Sequence, residues 1–312
     1  MLQPEIILQL VWTGLANASY ACLFAVAFAL VLRVNKVWNF GQAGQMLIAY
    51  SAMFIVLRWW HGSMIVAVSA GLAATVAASL AIEQFGFRVL RRRRASTLSY
   101  FILTLVLSQL IVFVGELVFG TEPTTLTDSI VAPAFALGPI IVNVWDCEAL
   151  AATVALLLLL YLVLMLSPAG QNMTAVADNA ALAELYGIDP NRSYRMSMAL
   201  SAIFITMGML LLGTKTATVP STPLQQYLIA SVVATILAGV GNVFSAGFAA
   251  FALGLLQSFS ILIVASRWQP LVVYGVLAIT ILLFPRGVGG WQFRLPAAGR
   301  LAPGSARAET AR

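Results

Sequence analysis

The sequence predicts an all-α protein, a polytopic bundle of about eight to nine transmembrane helices. Three observations support this fold class. Of the 312 residues, 61% are hydrophobic and only 9% are charged, whereas a soluble domain carries roughly 25% charged residues. The mean hydropathy is high, at +0.95. In addition, nine apolar runs follow one another along the chain, and most approach the roughly 20 residues that a helix needs to cross a bilayer.

The apolar runs alternate with shorter polar segments. Several runs are shorter than a straight crossing requires, which is typical of helices that are broken inside a bundle. Eight complete spans with one partial span are therefore nearly as compatible with the sequence as nine. The first run follows Glu5 without a basic leader, so we expect a retained span and no cleaved signal peptide. The runs are 6–32, 42–60, 64–85, 99–119, 149–167, 197–213, 228–244, 246–266 and 269–285.

The lysine and arginine residues orient the bundle. Alternating spans place 14 of the 17 on one side, which the positive-inside rule assigns to the cytoplasm. The N-terminus is then external, and the C-terminus and segment 168–196 are cytoplasmic. Only Arg58, Lys215 and Arg267 fall outside. The cytoplasmic residues are Arg33, Lys36, Arg88, Arg91, Arg92, Arg93, Arg94, Arg192, Arg195, Arg286, Arg294, Arg300, Arg307 and Arg312.

One transmembrane domain is expected over residues 1–294. The connection 120–148 falls on the external side; it carries four acidic residues, no Lys or Arg, and apolar residues that would pack on the outer face. Residues 295–312 lack apolar content, so we expect a disordered cytoplasmic tail. The net charge of +6 comes from runs beside apolar segments. A lipid bilayer is therefore the expected partner, and nucleic acid is not.

Little in the sequence indicates catalysis. Cys22 lies in the first apolar run and Cys147 in a connection, without metal-ligand spacing. His61 is the only histidine. Glu83 and Glu116 lie near the ends of apolar runs, so no carboxylate stands at mid-membrane for a proton relay or an intramembrane enzyme. No complete phosphate-binding loop is present. We therefore expect no metal, no cofactor and no enzyme activity, and any ATP hydrolysis would occur on separate chains.

A short helix with marked ends interrupts the spans at about 173–186. Asn172 is the predicted N-cap, and Gly187 followed by Pro190 is a predicted stop. A chain that only had to cross the bilayer would not need this element, so we expect a partner to bind it. Three large side chains fall on one face of the helix, namely Leu182, Leu185 and Tyr186.

Glycine and amide clusters recur at two predicted cytoplasmic span ends. Such flexible, hydrogen-bonding segments are typical of broken helices that line a polar cavity; a simple turn between adjacent spans is the alternative for each. Unpaired amides in hydrocarbon are costly, so these side chains should face protein or a water-filled path. The candidate substrate-path residues are Asn39, Gln42, Gly44, Gln45, Gly239, Gly241 and Asn242.

Small residues recur every four positions on two predicted spans. Such stripes let helix backbones approach closely, which drives association inside a membrane. Packing within the chain is the first interpretation, and a subunit interface is the second. The stripes are Ala246, Ala250, Gly254 and Ser258 on one span, and Ala70, Ala74 and Ala78 on the other.

Four stretches together resemble the membrane permease family of branched-chain amino acid ABC transporters, in its shorter, first-permease type. Over about 10–290, the order of these stretches and the topology match that family. Val37–Gly44 resembles its Asn-Phe turn before a span, and Glu83–Arg94 its basic cytoplasmic loop. Asp178–Ile188 is similar to its cytoplasmic coupling loop, although Met173 and Thr174 stand where the family carries a basic residue. Phe284–Gly290 is similar to its closing Arg-Pro-Arg-Gly signature.

The resemblance implies a permease subunit of an ATP-driven importer in the bacterial inner membrane, moving branched-chain amino acids or related small polar solutes by alternating access. An importer of urea or amides is the alternative, and a stand-alone secondary carrier or channel is less compatible. The implied partners are a second related permease, two cytoplasmic ATPase subunits and an external solute-binding protein. The implied ATPase-coupling residues are Asp178, Asn179, Ala180, Ala183, Glu184, Leu185, Gly187 and Ile188.

Overall fold

A computed structural model describes residues 4–120, 126, 134–138, 140–216, 224–239, 241–263 and 268–283. The closing signature at 284–290 and the predicted disordered tail at 295–312 lie outside these residues. The elements are α1 (Pro4–Asn35), α2 (Gln42–Phe54), a π-helical turn (Ile55–Trp59), α3 (Met64–Ala81), a second π-helical turn (Ile82–Phe87), α4 (Arg88–Arg92), α5 (Thr97–Phe119), β1 (Ala134–Leu137), β2 (Ile140–Asn143), α6 (Val144–Leu166), α7 (Pro168–Asp178), α8 (Ala180–Leu185), α9 (Pro190–Thr216), α10 (Leu224–Ala238), α11 (Val243–Ser260) and α12 (Gln269–Leu283).

The predicted helical bundle is confirmed. Within the described ranges, six helical stretches are long and apolar enough to cross a membrane, and α10 and part of α12 form shorter apolar helices. The predicted C-terminal boundary of one apolar run, 228–244, is wrong. The helix stops at Ala238 because Gly239 takes a positive φ of 86°, a conformation that glycine adopts without a steric penalty. The next helix begins only at Val243.

Helix α1 forms the centre of the bundle. Every side chain from Cys22 to Leu32 is at most 4% exposed, as expected for a helix that is apolar all round. It packs against α6, α9, α10 and α11. Helix α2 packs on α3 and α5, and α2 and α3 also contact α9.

The small-residue stripe on α11 packs against α1. A Cβ atom at Gly254 would collide with Ala18 and approach the backbone of Gly14, so the two helices lie closer than ordinary side chains allow. The Ser258 hydroxyl donates a hydrogen bond of 2.6 Å to the Leu10 carbonyl, and Ala250 is buried. This stripe serves packing within the chain, as its first interpretation predicts.

A β-hairpin that the sequence analysis did not predict packs on the first turns of α1. Strands β1 and β2 pair antiparallel with Leu137 opposite Ile140, and Gly138 supplies the positive φ, 65°, of the turn. The amide of Gln9 donates to the Ile141 carbonyl at 3.2 Å and accepts from the Ile141 N–H at 2.9 Å. These bonds satisfy backbone groups of an exposed strand edge. The hairpin is therefore joined to the bundle through its backbone.

The two ends of the bundle differ in charge. The ends of α1 and α4 meet the start of α9 at what we call the arginine end, which carries Arg33, Arg88, Arg91–Arg94, Arg192 and Arg195. The hairpin, the end of α9 and the start of α6 form the distal end. There the Lys215 ammonium bonds to the Asp146 carboxylate at 2.6 Å.

Replacing Gly254 with valine should destabilise the protein, because the new side chain would force α11 away from Ala18. Overpacking of this kind costs about 1–3 kcal/mol. Thermal unfolding of the detergent-purified protein measures the effect. Ala252→Val is the matched control, since Ala252 lies on the exposed face of the same helix. Equal melting temperatures for the two variants would contradict this packing.

Candidate functional site

Helix α7 begins earlier than the sequence predicted. Its N-cap is Ser167, whose hydroxyl accepts a hydrogen bond of 3.0 Å from the Gly170 N–H, while Asn172 lies inside the helix. Pro168 occupies the first helical position, where its fixed φ and missing N–H are tolerated. The predicted N-cap at Asn172 is therefore wrong, and the strong local cap at Ser167 explains the difference.

The predicted single helix at 173–186 is two helices. Asn179 breaks it with φ −152° and ψ 100°, and its side chain accepts a hydrogen bond of 3.0 Å from the Leu182 N–H. An asparagine side chain competes in this way with the continuing helical hydrogen bonds. Helix α8 therefore has its own N-cap and can leave α7 in a new direction.

The predicted stop at Gly187 is confirmed. Gly187 has a φ of 82°, and its N–H donates to the Glu184 carbonyl at 3.0 Å. The Ile188 N–H donates to the Ala183 carbonyl at 3.1 Å. This pair of bonds is a Schellman motif, which satisfies the last carbonyls of a helix.

Helix α7 is anchored in the bundle. Met173, Val176 and Ala177 are at most 2% exposed, and α7 contacts α1, α6 and α9. Gly170 lies so close to α6 that a Cβ atom there would overlap the Val163 carbonyl. The position of α7 is therefore determined by the helices beneath it.

Helix α8, in contrast, presents large apolar side chains outward. Leu182, Leu185 and Tyr186 are 51%, 84% and 80% exposed, and we call these three residues the α8 knob. The shared face that the sequence predicted is therefore exposed. Of the eight predicted coupling residues, Ala183 is buried and Ala180 and Ile188 are half-buried, while the exposed ones are Asp178, Asn179, Glu184, Leu185 and Gly187.

A buried carboxylate joins three elements at the arginine end. Glu83 is 1% exposed and forms an ion pair with the Arg91 guanidinium. The Asn35 amide donates to the Glu83 carboxylate at 3.2 Å, and the Ser197 hydroxyl donates to the Asn35 carbonyl oxygen at 2.5 Å. The guanidinium of Arg91 also lies 4.2 Å from the ring centre of Tyr194. We call these five residues the Glu83 network.

The second π-helical turn turns Glu83 inward. The wider spacing of a π-helix places Ile82, Glu83 and Phe87 together on the buried side. Single π-helical turns occur frequently at functional sites. The partner of Glu83 is Arg91, eight residues further on, while the nearer Arg88 bonds to Gln84 at 3.1 Å. Asn35 and Ser197 carry no local sequence signal of this role, because they are distant along the chain.

The first predicted substrate-path cluster forms a hydrogen-bonded chain inside the bundle. Asn39, Gln42 and Gln45 are each 1% exposed. The Gln42 amide donates to the Phe24 carbonyl at 2.9 Å, and Gln45 donates to the Ser79 hydroxyl at 3.0 Å. The Asn39 amide donates to the Gln45 carbonyl oxygen at 3.4 Å. The amides thus face protein, as expected of costly polar groups in a membrane.

Close packing also surrounds Gly44. A Cβ atom at this position would come within 3.2 Å of the Ser108 Cα atom. In the described residues the Asn39 side-chain oxygen lacks a hydrogen-bond partner although it is buried. The cluster therefore joins α2 to α1, α3 and α5, with one polar atom left unpaired.

The second predicted cluster is an exposed turn between α10 and α11. Gly239 and Gly241 take positive φ values of 86° and 132°. The Asn242 side chain accepts hydrogen bonds from the N–H groups of Phe244 and Ser245, at 3.1 and 3.4 Å. Asn242 is therefore the N-cap of α11, and it is exposed, whereas the amides of α2 are buried.

The six long apolar helices define a class of protein, the multi-pass membrane protein. The sequence model of one family, described as the permease component of branched-chain amino acid transport systems, matches residues 10–282. The chain belongs to this family. It is therefore a transmembrane ABC-transporter permease, a transport subunit of the inner membrane.

Individual relatives are distant. The chain is 22% identical over 301 residues to the high-affinity branched-chain amino acid transport system permease protein BraD of Pseudomonas aeruginosa, covering 92% of this chain and 97% of that protein. Among solved structures, PsaBC from Streptococcus pneumoniae in complex with Fab is 13% identical, covering 89% of this chain and 92% of that chain with a TM-score of 0.47.

Replacing Arg91 with methionine should destabilise the protein by roughly 3–5 kcal/mol, because the buried Glu83 carboxylate would lose its counter-charge. The free energy of unfolding in mixed micelles measures this loss. Arg92→Met is the matched control, because Arg92 is the next residue along the chain and its side chain is exposed. A double variant, Glu83→Gln with Arg91→Met, should be more stable than Arg91→Met alone. If it is not, the two charges are not coupled.

Replacing Asn242 with alanine should cost about 1 kcal/mol of stability through the lost N-cap of α11. Asn242→Asp retains the accepting oxygen and should restore the melting temperature. Uptake assays on both variants separate capping from a direct role in solute passage. A normal melting temperature for Asn242→Ala would contradict the capping role.

Proposed function

We propose that the chain is the membrane-spanning permease subunit of an ATP-driven importer, and that the α8 knob is where an ATPase subunit binds. The exposure of the α8 knob is the observation that supports ATPase binding there. Helix α8 lies between the candidate spans Val144–Leu166 and Pro190–Lys215, and large apolar side chains exposed together outside the spans mark sites of protein interaction. Leu185 and Tyr186 are among the most exposed large side chains of the described residues.

The knob lies on the side that the distribution of charge assigns to the cytoplasm. Arg192 and Arg195 follow α8 at the start of α9, and the Arg91–Arg94 cluster lies at the same end. By the positive-inside rule, this end would face the cytoplasm. A cytoplasmic ATPase could then reach α8, and residues 168–196 would be the coupling loop within a transmembrane domain at 1–294, with the C-terminus in the cytoplasm.

The contacts beneath α8 support a coupling role. Helices α7 and α8 both contact α9, and α9 carries Tyr194 and Ser197 of the Glu83 network. Asn35 of that network is the last residue of α1. A displacement of α8 by ATP-driven closure of two ATPase subunits would therefore reach the central helix through packed and hydrogen-bonded groups, as alternating access requires.

The proposed cargo is a branched-chain amino acid or a related small polar solute, because the family and its BraD relative are named for transport of these amino acids. A permease for urea or amides is the alternative. A second permease subunit and an external solute-binding protein complete the proposed complex. The connection 120–148 is a candidate contact for the binding protein, and the amide cluster around Gln42 and Gln45 is a candidate part of the solute path.

Replacing Leu185 and Tyr186 together with serine should weaken ATPase binding without unfolding the permease, since both side chains are exposed. Truncating central interface anchors costs about 2 kcal/mol or more, which is roughly thirtyfold in Kd. Co-purification with the ATPase and ATP-dependent uptake in proteoliposomes are the measurements.

We also expect Gly187→Pro and Glu184→Arg to abolish uptake while membrane insertion is unchanged.

The matched control is Gln171→Ser, an exposed position on α7 away from the knob. It should retain both ATPase binding and uptake. If the double serine variant transports as well as the control, the α8 knob is not the ATPase-binding element.

A further inference from the structure

A cavity of about 460 Å³ lies between α1, α10, α11 and α12. Its volume is within the range of small-molecule sites, roughly 300–1,000 Å³. None of the residues that the sequence analysis selected for the solute path lines it. The described lining residues are Asn17, Tyr20, Ala21, Gln226, Tyr227, Ile229, Ala230, Gly254, Gln257, Ser258, Ile261, Val273 and Tyr274.

The cavity lies in the distal half of the bundle. Gln226 lies in the first turn of α10, and Ile261 directly follows α11. Ser258 bonds to Leu10, near the start of α1, where the hairpin also contacts the helix. Ala21, Ala230 and Gly254 lie deeper along their helices and line the inner part with small side chains. The described lining residues are therefore nearer the distal end than the α8 knob.

The polar groups of the cavity are carboxamides, phenols and one hydroxyl. None of its described lining residues is Asp, Glu, Lys, Arg or His. The rings of Tyr20 and Tyr227 meet edge to face, with centroids 5.9 Å apart, which holds both at the wall. Gln226 and Gln257 each offer a neutral donor and a neutral acceptor. A few convergent polar groups on an apolar wall are typical of ligand sites.

We propose that this cavity, the tyrosine–amide cavity, receives the transported solute from the distal side and accepts only solutes without net charge. The inference rests on the transport function proposed above. Transfer of an ion into an apolar site without a counter-charge has a large desolvation free energy. The desolvation free energy is smaller for a solute whose charges sum to zero, and the polar groups of such a solute can form hydrogen bonds with the carboxamides and phenols. Zwitterionic aliphatic amino acids and uncharged amides share this property.

Cysteine protection tests the site in the intact complex. Ala230→Cys is introduced together with Cys147→Ala, and spheroplasts carrying the full complex are treated with a membrane-impermeant methanethiosulfonate. Cys22 is fully buried, so the Cys147→Ala protein alone measures the background. We expect labelling at position 230. Leucine or acetamide at about four times its Kd should slow the labelling about fivefold, because only the unoccupied fraction reacts.

Arginine and glutamate at the same concentrations should leave the labelling rate unchanged, and the comparison of leucine with acetamide identifies which neutral class binds. Ser63→Cys is the matched control, since Ser63 is exposed just before α3 at the distal end and lies outside the cavity; no solute should alter its labelling. No labelling at position 230, protection by neither neutral solute, or equal protection by arginine or glutamate would each overturn the proposal.

This test is separate from the test of the importer itself. Labelling requires no ATP hydrolysis, so a failed protection experiment in a complex that still shows ATP-dependent uptake refutes the cavity assignment alone. Absence of ATP-dependent uptake for any solute refutes the importer, whatever the labelling result.

Discussion

The carboxylate of Glu83 imposes the strongest constraint on the arginine end of the bundle. A buried charge is tolerated only with a counter-charge and hydrogen bonds that satisfy it. Arg91 and Asn35 supply both, and Ser197 orients Asn35. Because these groups come from α1, from α4 and from α9, the three helix ends must keep one arrangement or break the network together.

Helix α1 joins the two functional ends of the molecule. Its last residue, Asn35, belongs to the Glu83 network, its middle is completely buried, and Tyr20 and Ala21 line the tyrosine–amide cavity. The α8 knob is connected to the same helix through α7 and α9. In the proposed importer, a movement at the ATPase would thus reach the cavity through one rigid element. Small residues along α11 add a second rigid contact to it, since Gly254 both packs on Ala18 and borders the cavity.

Sequence reasoning succeeded where a property is local or follows from composition. The apolar runs predicted the helices, and Gly187 predicted the end of α8 because glycine readily adopts the positive φ that ends many helices. It failed where two local signals compete. Asn172 and Ser167 are both acceptable N-caps by residue type, and the contact of Gly170 with α6 is a tertiary feature that favours the earlier start. The break at Asn179 and the β-hairpin were likewise missed, since short polar and apolar segments are ambiguous in sequence.

The sequence by itself determined the class of the protein, its family and the shared face of Leu182, Leu185 and Tyr186, because hydropathy, charge distribution and helical spacing are properties of neighbouring residues. Tertiary structure alone decided which polar residues act together. Glu83 forms its ion pair with Arg91 and not with the nearer Arg88, because the π-helical turn directs the Glu83 side chain inward. The tyrosine–amide cavity exists only because helices from the two ends of the chain, α1 and α10 to α12, bring neutral side chains to one wall. Burial and approach between distant segments set these contacts, and no spacing along the chain encodes them.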